Sequence, residues 1–466
     1  MVRPNKTFTY RNWAQTFSCS PELYFEPQNE KEIVAIVQRA REHRKTVKVF
    51  GAGHSPSDLP CTDGYMLNLD RMNRLLEVDE TRMVVTVEGG MRLFELHPLL
   101  QKHNLALSVL GAISDQSVAG AIGTATHGSG AGFGNLSTLV LGLRLISGTG
   151  EIIDCSAMDH TDIFSAARCH IGALGIVTKV TLQCERAFRL ESIQRPIPFA
   201  TMLDELVSLS QTAQHTKFLW FPYNNNVAIS LLNRTTKVKS EPDSTWRITQ
   251  RKNRLRYEME LYVGRYMPGI LPEVEKQLWK RDYAREIHRI DDSYKVFNFD
   301  CMFRQYTNEW AIPTGRASEA IKQLNQVLAK AKYPIHFPIE IRFVQHDDIW
   351  LSPCYQRDTC YIGVVMYKPF NSNVPYGEFW TDFEAVMKSM DGRPHWAKFH
   401  CMGYEDLARV YPMLPNFMEV RAQMDPDNVF MNDYLTRHLL PNNHPVLPPE
   451  HGIRFQYSNI PLKSKL

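Results

Sequence analysis

Residues 46–58 read Thr-Val-Lys-Val-Phe-Gly-Ala-Gly-His-Ser-Pro-Ser-Asp. Thr46–Phe50 is β-branched and apolar, the composition of a buried strand. It runs straight into Gly51-Ala52-Gly53, where missing side chains let backbone amides approach a pyrophosphate. A dinucleotide-binding turn needs a third glycine and an opening helix. Here the third glycine is missing, and Pro56 stands where the helix would start. What remains is a tight loop presenting His54 and Ser55, and on this loop alone a plain turn with a surface histidine is the simpler reading.

A second stretch changes the balance. Residues 117–134, Ser-Val-Ala-Gly-Ala-Ile-Gly-Thr-Ala-Thr-His-Gly-Ser-Gly-Ala-Gly-Phe-Gly, are glycine-rich and carry one aromatic side chain. Such a segment builds no core, but it wraps a flat or phosphorylated ligand and donates N–H groups to anionic oxygens. A flexible linker fits poorly, because Val118, Ala119, Ala121 and Ile122 anchor its start and a firm strand follows near 138–147. The two loops together suggest that two sides of one extended cofactor are held.

Around these loops the first 187 residues alternate short strands with helices. Asn29 and Glu32 form a capping box, and Ile33, Ile36, Val37 and Ala40 recur at helical spacing, predicting a helix over 30–43. Leu93, Leu96, Leu99 and Leu100 predict another over 92–103. Beyond 188 the texture changes, with a helix near 199–212 and strands near 218–222, 227–232, 336–344 and 360–367. A last helix is expected near 376–390. The pattern predicts an α+β fold in three parts: 1–187, 188–440, and a proline-rich tail at 441–466.

Composition narrows the class. A chain of 466 residues with 44% hydrophobic and 22% charged residues has the make-up of a globular protein of two domains. A net charge of +3 gives no ground for a nucleic-acid partner. The basic run Arg234, Lys237, Lys239, Arg247, Arg251, Lys252, Arg254 and Arg256 is either a solvated surface insertion or a patch facing an anionic membrane, at about 1 kcal/mol per basic residue. Nine cysteines in irregular positions, with no CxxC pair, predict free thiols in a reducing, intracellular compartment. The triplets at Asn5, Asn135 and Asn233 weigh only slightly against that. The N-terminus lacks the apolar core of a signal peptide, and no apolar run is long enough for a membrane span. The histidine spacings predict no metal site, and no GxSxG elbow suggests a hydrolase.

The segments Phe50–Asp58, Ser117–Gly128 and Gly172-Ala-Leu-Gly-Ile176 together resemble the vanillyl-alcohol-oxidase-type FAD-binding fold. Within it the chain resembles the aldonolactone oxidases, the group that includes the animal L-gulonolactone and fungal D-arabinonolactone oxidases. Asn12-Trp-Ala14, Glu309–Pro313, Leu351–Cys354, Gly392–Lys398 and Phe430–Tyr434 extend the likeness from about residue 10 to 440. The resemblance implies a two-part FAD-binding domain and an α+β substrate (cap) domain with an antiparallel sheet. It implies that His54 carries the flavin through an 8α-histidyl bond, alone, since no cysteine lies in the second loop. Gly51, Ala52, Gly53, Ser55, Gly120, Gly123, Thr124, His127, Gly128, Gly175 and Ile176 are the further expected cofactor contacts. The charged stretch at about 235–300 departs from the apolar one of animal gulonolactone oxidases.

Four residues are expected to carry the chemistry. On the strand at 336–344 period-two alternation separates Ile339, Ile341 and Phe343 from Glu340 and Arg342. Two such charges commonly form a surface ion pair, but the resemblance matches both to substrate contacts. Glu340 then orients hydroxyls or accepts a proton, and Arg342 stabilises the developing oxyanion. Lys398 is either a solvated lysine or a cation near flavin N1, and Ser117 is matched to a substrate or flavin contact. The implied reaction oxidises an aldono-1,4-lactone at C2 with O₂, yielding ascorbate or an analogue and H₂O₂. The rivals are a lactone dehydrogenase using cytochrome c, a sugar-alcohol oxidase, and a flavin-binding protein without turnover. The family also implies endoplasmic reticulum or mitochondrial membrane surfaces.

Overall fold

A computed structural model describes residues 3–241, 244–299 and 301–443, and the side chains of residues 244–251 are left aside. The expected tail beyond 443 lies outside the described residues. The chain is α+β as its sequence pattern predicts, with three sheets that together build the site.

Strands Leu23–Phe25, Tyr65–Asn68 and Val47–Phe50 form a small parallel sheet with Tyr65–Asn68 in the middle. The helix Glu30–Glu42 covers it with Ile33, Ile36, Val37 and Ala40. Its cap differs in one detail from the expected box. Asn29 accepts from the Glu32 amide at 3.1 Å, but Glu32 reaches past the cap to the Gln28 amide at 2.8 Å.

A five-stranded antiparallel sheet follows, in the order Ile152–Ser156, Val140–Ile146, Ile176–Gln183, Val84–Glu88 and Leu75–Asp79. The second half is an eight-stranded antiparallel sheet. Its middle runs Asn226–Thr235, His215–Phe221, Ile339–Val344, Thr359–Tyr367 and Gln305–Pro313. One register decides the site: Leu219, Glu340, Gly363 and Glu309 lie in one cross-strand row, and Lys217, Arg342, Tyr361 and Ala311 in the next row of the same face. Residues two apart share a face, so both rows present their side chains together.

The opposite face is apolar and fully buried. Ile339, Ile341, Ile362, Val364 and Trp310 join helices Phe199–Ser210, Ala317–Lys330 and Gly377–Ser389 in a core continuous with that of the first half. The segment after helix Leu414–Met424 returns to the first half: the Val47 amide donates to Val429 O at 2.6 Å, and Asp425 accepts from the Val429 and Phe430 amides.

Five buried histidines are held neutral. His97, His170, His215 and His438 are pushed down to about 4 and His336 to about 3, with burial the first cause at each. At His170 the tautomer is set, since Nδ1 accepts from the Gly172 amide and Nε2 faces Ala119 O. The folded state therefore binds fewer protons than the unfolded chain between about 4 and 6.5. Stability is complete above 6.5 and is lost as pH falls toward 4. Glu275, raised to about 7, Asp347, raised to about 6, and Glu384 and Asp425, also raised by burial, act in the opposite sense. His395 and His400, lowered by burial like the other five, leave the histidines in the majority. The melting temperature by circular dichroism is expected to fall steadily below pH 6.5. A flat profile down to pH 5 would show that these rings are not buried in neutral form.

Candidate active site

The two glycine loops meet. The strand Val47–Phe50 ends at Gly51, where a Cβ would press on the Ser117 side chain and turn its hydroxyl out of the capping position. Gly53 takes φ +67°, and its carbonyl accepts from the Trp13 amide at 2.7 Å. The second stretch, expected as a loop, opens as a helix, Val118–Gly123. Ser117 caps it by accepting from the Gly120 amide at 3.3 Å, and its small residues are buried against the five-stranded sheet.

Between the loops lies a cleft of about 910 Å³. Of the expected cofactor contacts, Gly51, Gly53, Ser55, Gly120, Gly123, Thr124, Gly175 and Ile176 line it, as does Ser117. Ala52 and His54 share the first loop without lining this space. The walls are largely backbone and apolar side chains, with Tyr10, Asp70 and His170 among them and the buried Lys48 ammonium on Gly172 O at 3.0 Å and Phe430 O at 3.2 Å. Bare backbone opposite apolar surface suits a long, flat, phosphorylated cofactor.

His54 stacks on the Trp13 ring at a centroid distance of 5.1 Å, and burial lowers its pKa. A neutral imidazole has the free lone pair that a covalent bond to a flavin needs. Asp115, Arg92 and Lys398 are the charges that His54 senses, which sets it toward the second cluster.

That cluster lies on the two polar rows of the large sheet, which are buried or half-buried. Arg342 and Glu340 form an ion pair, and Lys217 stands 3.8 Å from the same carboxylate. Lys398 is 3.7 Å from Glu309, and His127 Nε2 is 3.2 Å from it. Three cations thus face two carboxylates, and the surplus favours a bound anion. Burial works against the Arg342 charge, but Glu340 and Glu309 more than offset it and raise its pKa. Burial also opposes the Glu309 carboxylate, yet His127, Lys398 and His395 hold it well below the ordinary range. Burial depresses Lys217, which Glu340 only partly restores. Phe299 lies under both Lys217 and Arg342, with centroid distances of 4.3 and 5.7 Å.

Two buried atoms in this cluster, Glu340 Oε1 and Arg342 Nε, have no hydrogen-bond partner. Gly363 separates Glu340 from Glu309 in the cross-strand row, and the Glu309 side chain lies over it. Unspent hydrogen-bonding capacity on a rigid sheet is the mark of a polar ligand site.

The structure thus brings Glu340, Arg342 and Lys398 together, and sets Ser117 at the wall of the neighbouring cleft. His127, expected among the cofactor contacts, stacks on Tyr361 at 3.5 Å and pairs with Glu309 instead. Gly128 packs on the backbone of Leu110. Lys217, Glu309 and His395 escaped sequence reading. Glu309 left a signal, a carboxylate next to the apolar run Trp310–Pro313, but Lys217 and His395 left none. His127, Glu309 and His395 bring their ligand atoms within 4.8 Å of one another, although no sequence spacing foretold it. Lys398 already occupies that carboxylate, and Arg342 lies close by, so the charges there oppose a divalent ion.

The description "D-arabinono-1,4-lactone oxidase" matches residues 180–438, and "FAD binding domain" matches 21–156. The chain belongs to the D-arabinono-1,4-lactone oxidase family. The resemblance drawn from the motifs is borne out, and the protein is an FAD-dependent oxidoreductase. L-gulonolactone oxidase of Bos taurus is 39% identical over 94% of this chain and 99% of its own. L-gulono-1,4-lactone dehydrogenase of Mycobacterium tuberculosis is 34% identical over 93% of this chain and 99% of its own. Among solved structures, cholesterol oxidase from B. sterolicum superposes with a TM-score of 0.76 at 17% identity, covering 94% of this chain and 98% of that one. That likeness speaks for the fold alone.

Removing the unpaired guanidinium nitrogen tests where the ligand sits. Arg342→Lys keeps the charge but not the planar fork. It is expected to keep the flavin spectrum and lower kcat/KM for aldonolactones at least about tenfold, the scale of one lost charged hydrogen bond. Unchanged kinetics would move the ligand elsewhere.

Proposed function

We propose that this protein oxidises an aldono-1,4-lactone, of the L-gulono-, L-galactono- or D-arabinono- type, at C2 with FAD held covalently through His54. O₂ is the acceptor, and the products are ascorbate or an analogue and H₂O₂. The observation that carries this reading is the buried Glu340–Arg342 pair, whose Oε1 and Nε make no hydrogen bond, set under a surplus of positive charge.

When bound, FAD supplies the hydride acceptor. Arg342 binds the oxygen on which negative charge grows as the C2 carbonyl forms, and its planar fork fixes the lactone's orientation. Glu340 accepts a hydroxyl hydrogen bond from the substrate and takes up the hydroxyl proton. Lys217, 3.8 Å from that carboxylate, fixes its position on the neighbouring strand. Lys398, tied to Glu309 at 3.7 Å, supplies a positive charge that favours anionic reduced flavin. Ser117 orients the flavin or substrate at the junction of the loops. His54 meets the requirements for the tether: it is neutral, stacked on Trp13, and carried by the first glycine loop.

Acid precipitation of purified protein is expected to give a yellow pellet, and His54→Ala a colourless one. A colourless wild-type pellet would refute the tether. Anaerobic L-gulono-1,4-lactone is expected to bleach the flavin, and air to restore it. Restoration only by cytochrome c would make the protein a dehydrogenase, the reading that the mycobacterial relative favours.

A peripheral membrane contact belongs to the same proposal. Among the described residues no helix is long and apolar enough to cross a membrane. Helix Ser244–Gly264, however, exposes Leu255, Met259 and Val263 at i, i+4 and i+8, continued by Tyr266 and Met267. Much of the basic run is neutralised locally: Arg234 pairs with Glu185, Lys237 with Glu191, Lys239 with Asp292 and Arg256 with Glu260. The side chains of Arg247 and Arg251 lie outside the described residues. The apolar stripe therefore carries the contact more than the charge. Binding to phosphatidylserine-containing vesicles is expected to survive high salt and to be lost in Leu255→Glu/Met259→Glu. Loss by salt alone would assign it to the basic residues.

A further inference from the structure

Cys19 lies in the short strand Ser18–Cys19, the return arm of an N-terminal hairpin paired with Tyr10–Arg11. Cys61 follows the loop that carries His54. The Thr62 amide, one residue past Cys61, donates to the Cys19 sulfur at 3.4 Å, which sets the two cysteines side by side. Both are half-buried, as are Cys301 and Cys401, whereas Cys155, Cys169, Cys184, Cys354 and Cys360 are enclosed. The two thiols are also unequal. The Cys61 thiol, helped by the Thr62 amide, lowers the Cys19 pKa against the effect of burial. The same pairing, with burial, pushes the Cys61 thiol up. One thiol favours the nucleophilic thiolate while its neighbour keeps a proton, the arrangement of an attacking and a resolving cysteine.

We infer that Cys19 and Cys61 form a peroxide-sensitive disulfide site, closed by the hydrogen peroxide that the enzyme itself releases. The source of peroxide rests on the oxidase reading above, while the site rests on the thiol pair. The Cys19 thiolate attacks one oxygen of H₂O₂: an S–O bond forms, the O–O bond breaks, and hydroxide leaves. The Cys61 sulfur, giving up its proton, then attacks Cys19. An S–S bond forms, the S–O bond breaks, and a second hydroxide leaves. The two thiol protons convert both hydroxides to water. Two thiols are oxidised to one disulfide, and one peroxide is reduced to two waters.

The bond would act on the cofactor loop. The hairpin that ends at Cys19 also carries Trp13, stacked on His54, and Asn12, whose Nδ2 donates to Ser55 O at 3.0 Å. Linking Cys19 to Cys61 closes a covalent ring around the His54 loop and removes freedom from the unfolded chain. The oxidised holoenzyme then melts at a higher temperature than the reduced one.

The test treats reduced, full-length holoenzyme with added H₂O₂ and maps peptides without reduction. A Cys19–Cys61 linked peptide is expected before any other cysteine reacts, together with a raised melting temperature. Cys61→Ser is expected to stop at a dimedone-reactive sulfenic acid on Cys19, with no rise in melting temperature. Cys19 and Cys61 remaining alkylatable while another thiol oxidises would overturn the proposal. A second arm supplies L-gulono-1,4-lactone in air, with and without catalase. The linked peptide forming only without catalase supports self-oxidation. Its absence while an oxygen electrode registers peroxide release would overturn that part. Should added peroxide link the pair while turnover consumes no oxygen, the site stands and the oxidase reading fails.

Discussion

The close approach of Gly51 to Ser117 is the contact on which the rest of the molecule depends. A single methyl group at residue 51 would collide with the hydroxyl that caps helix Val118–Gly123. Without that approach the end of a parallel strand and the start of a short helix could not share one cleft. The cleft is the place where the chain offers unencumbered backbone to a cofactor. Both loops continue outward from the contact: the first to His54, and the second to His127 on Tyr361 and Gly130 on Phe343. The same junction therefore positions His54 and docks the cofactor domain onto the large sheet.

On that sheet the governing constraint is electrostatic. Charges on a largely buried surface must be paired, because desolvating a lone ion costs more than a fold can recover. Here five charged side chains sit within a few residues of register, and their pairing is uneven: three positive, two negative, with one carboxylate oxygen and one guanidinium nitrogen making no hydrogen bond. The unevenness suits the site to a polyhydroxylated ligand that gains negative charge as it reacts. The apolar opposite face supplies rigidity. The histidine next to Glu309 adds to the field around these charges.

The N-terminal hairpin, easily taken for a peripheral strap, is tied into this arrangement by Trp13 on His54 and by the Cys19–Cys61 pair beneath it. The chain's far end returns to the same place: Asn432 Nδ2 donates to Leu59 O at 2.9 Å and to Cys61 O at 2.8 Å. Segments more than 370 residues apart thus hold the loop that presents the histidine, a reason for the likeness to the family running nearly the whole length of the chain.

What the sequence by itself determined is local chemistry: glycine where backbone must come close, helix Glu30–Glu42 from its cap and period, and Glu340 with Arg342 on one face of a strand. These follow from spacing within a few residues, and both the α+β class and the family were legible from them. Only the tertiary structure decided the partners. Glu309 joins Glu340 because antiparallel pairing puts both in one row across Gly363, and Lys217 joins through the strand on the other side. His127 turns to the carboxylate because the second loop docks on Tyr361, while Cys19 meets Cys61 because a hairpin folds back on the cofactor loop. Pairing of this kind depends on strand register and domain docking, which couple residues hundreds of positions apart and leave no periodic trace in the chain.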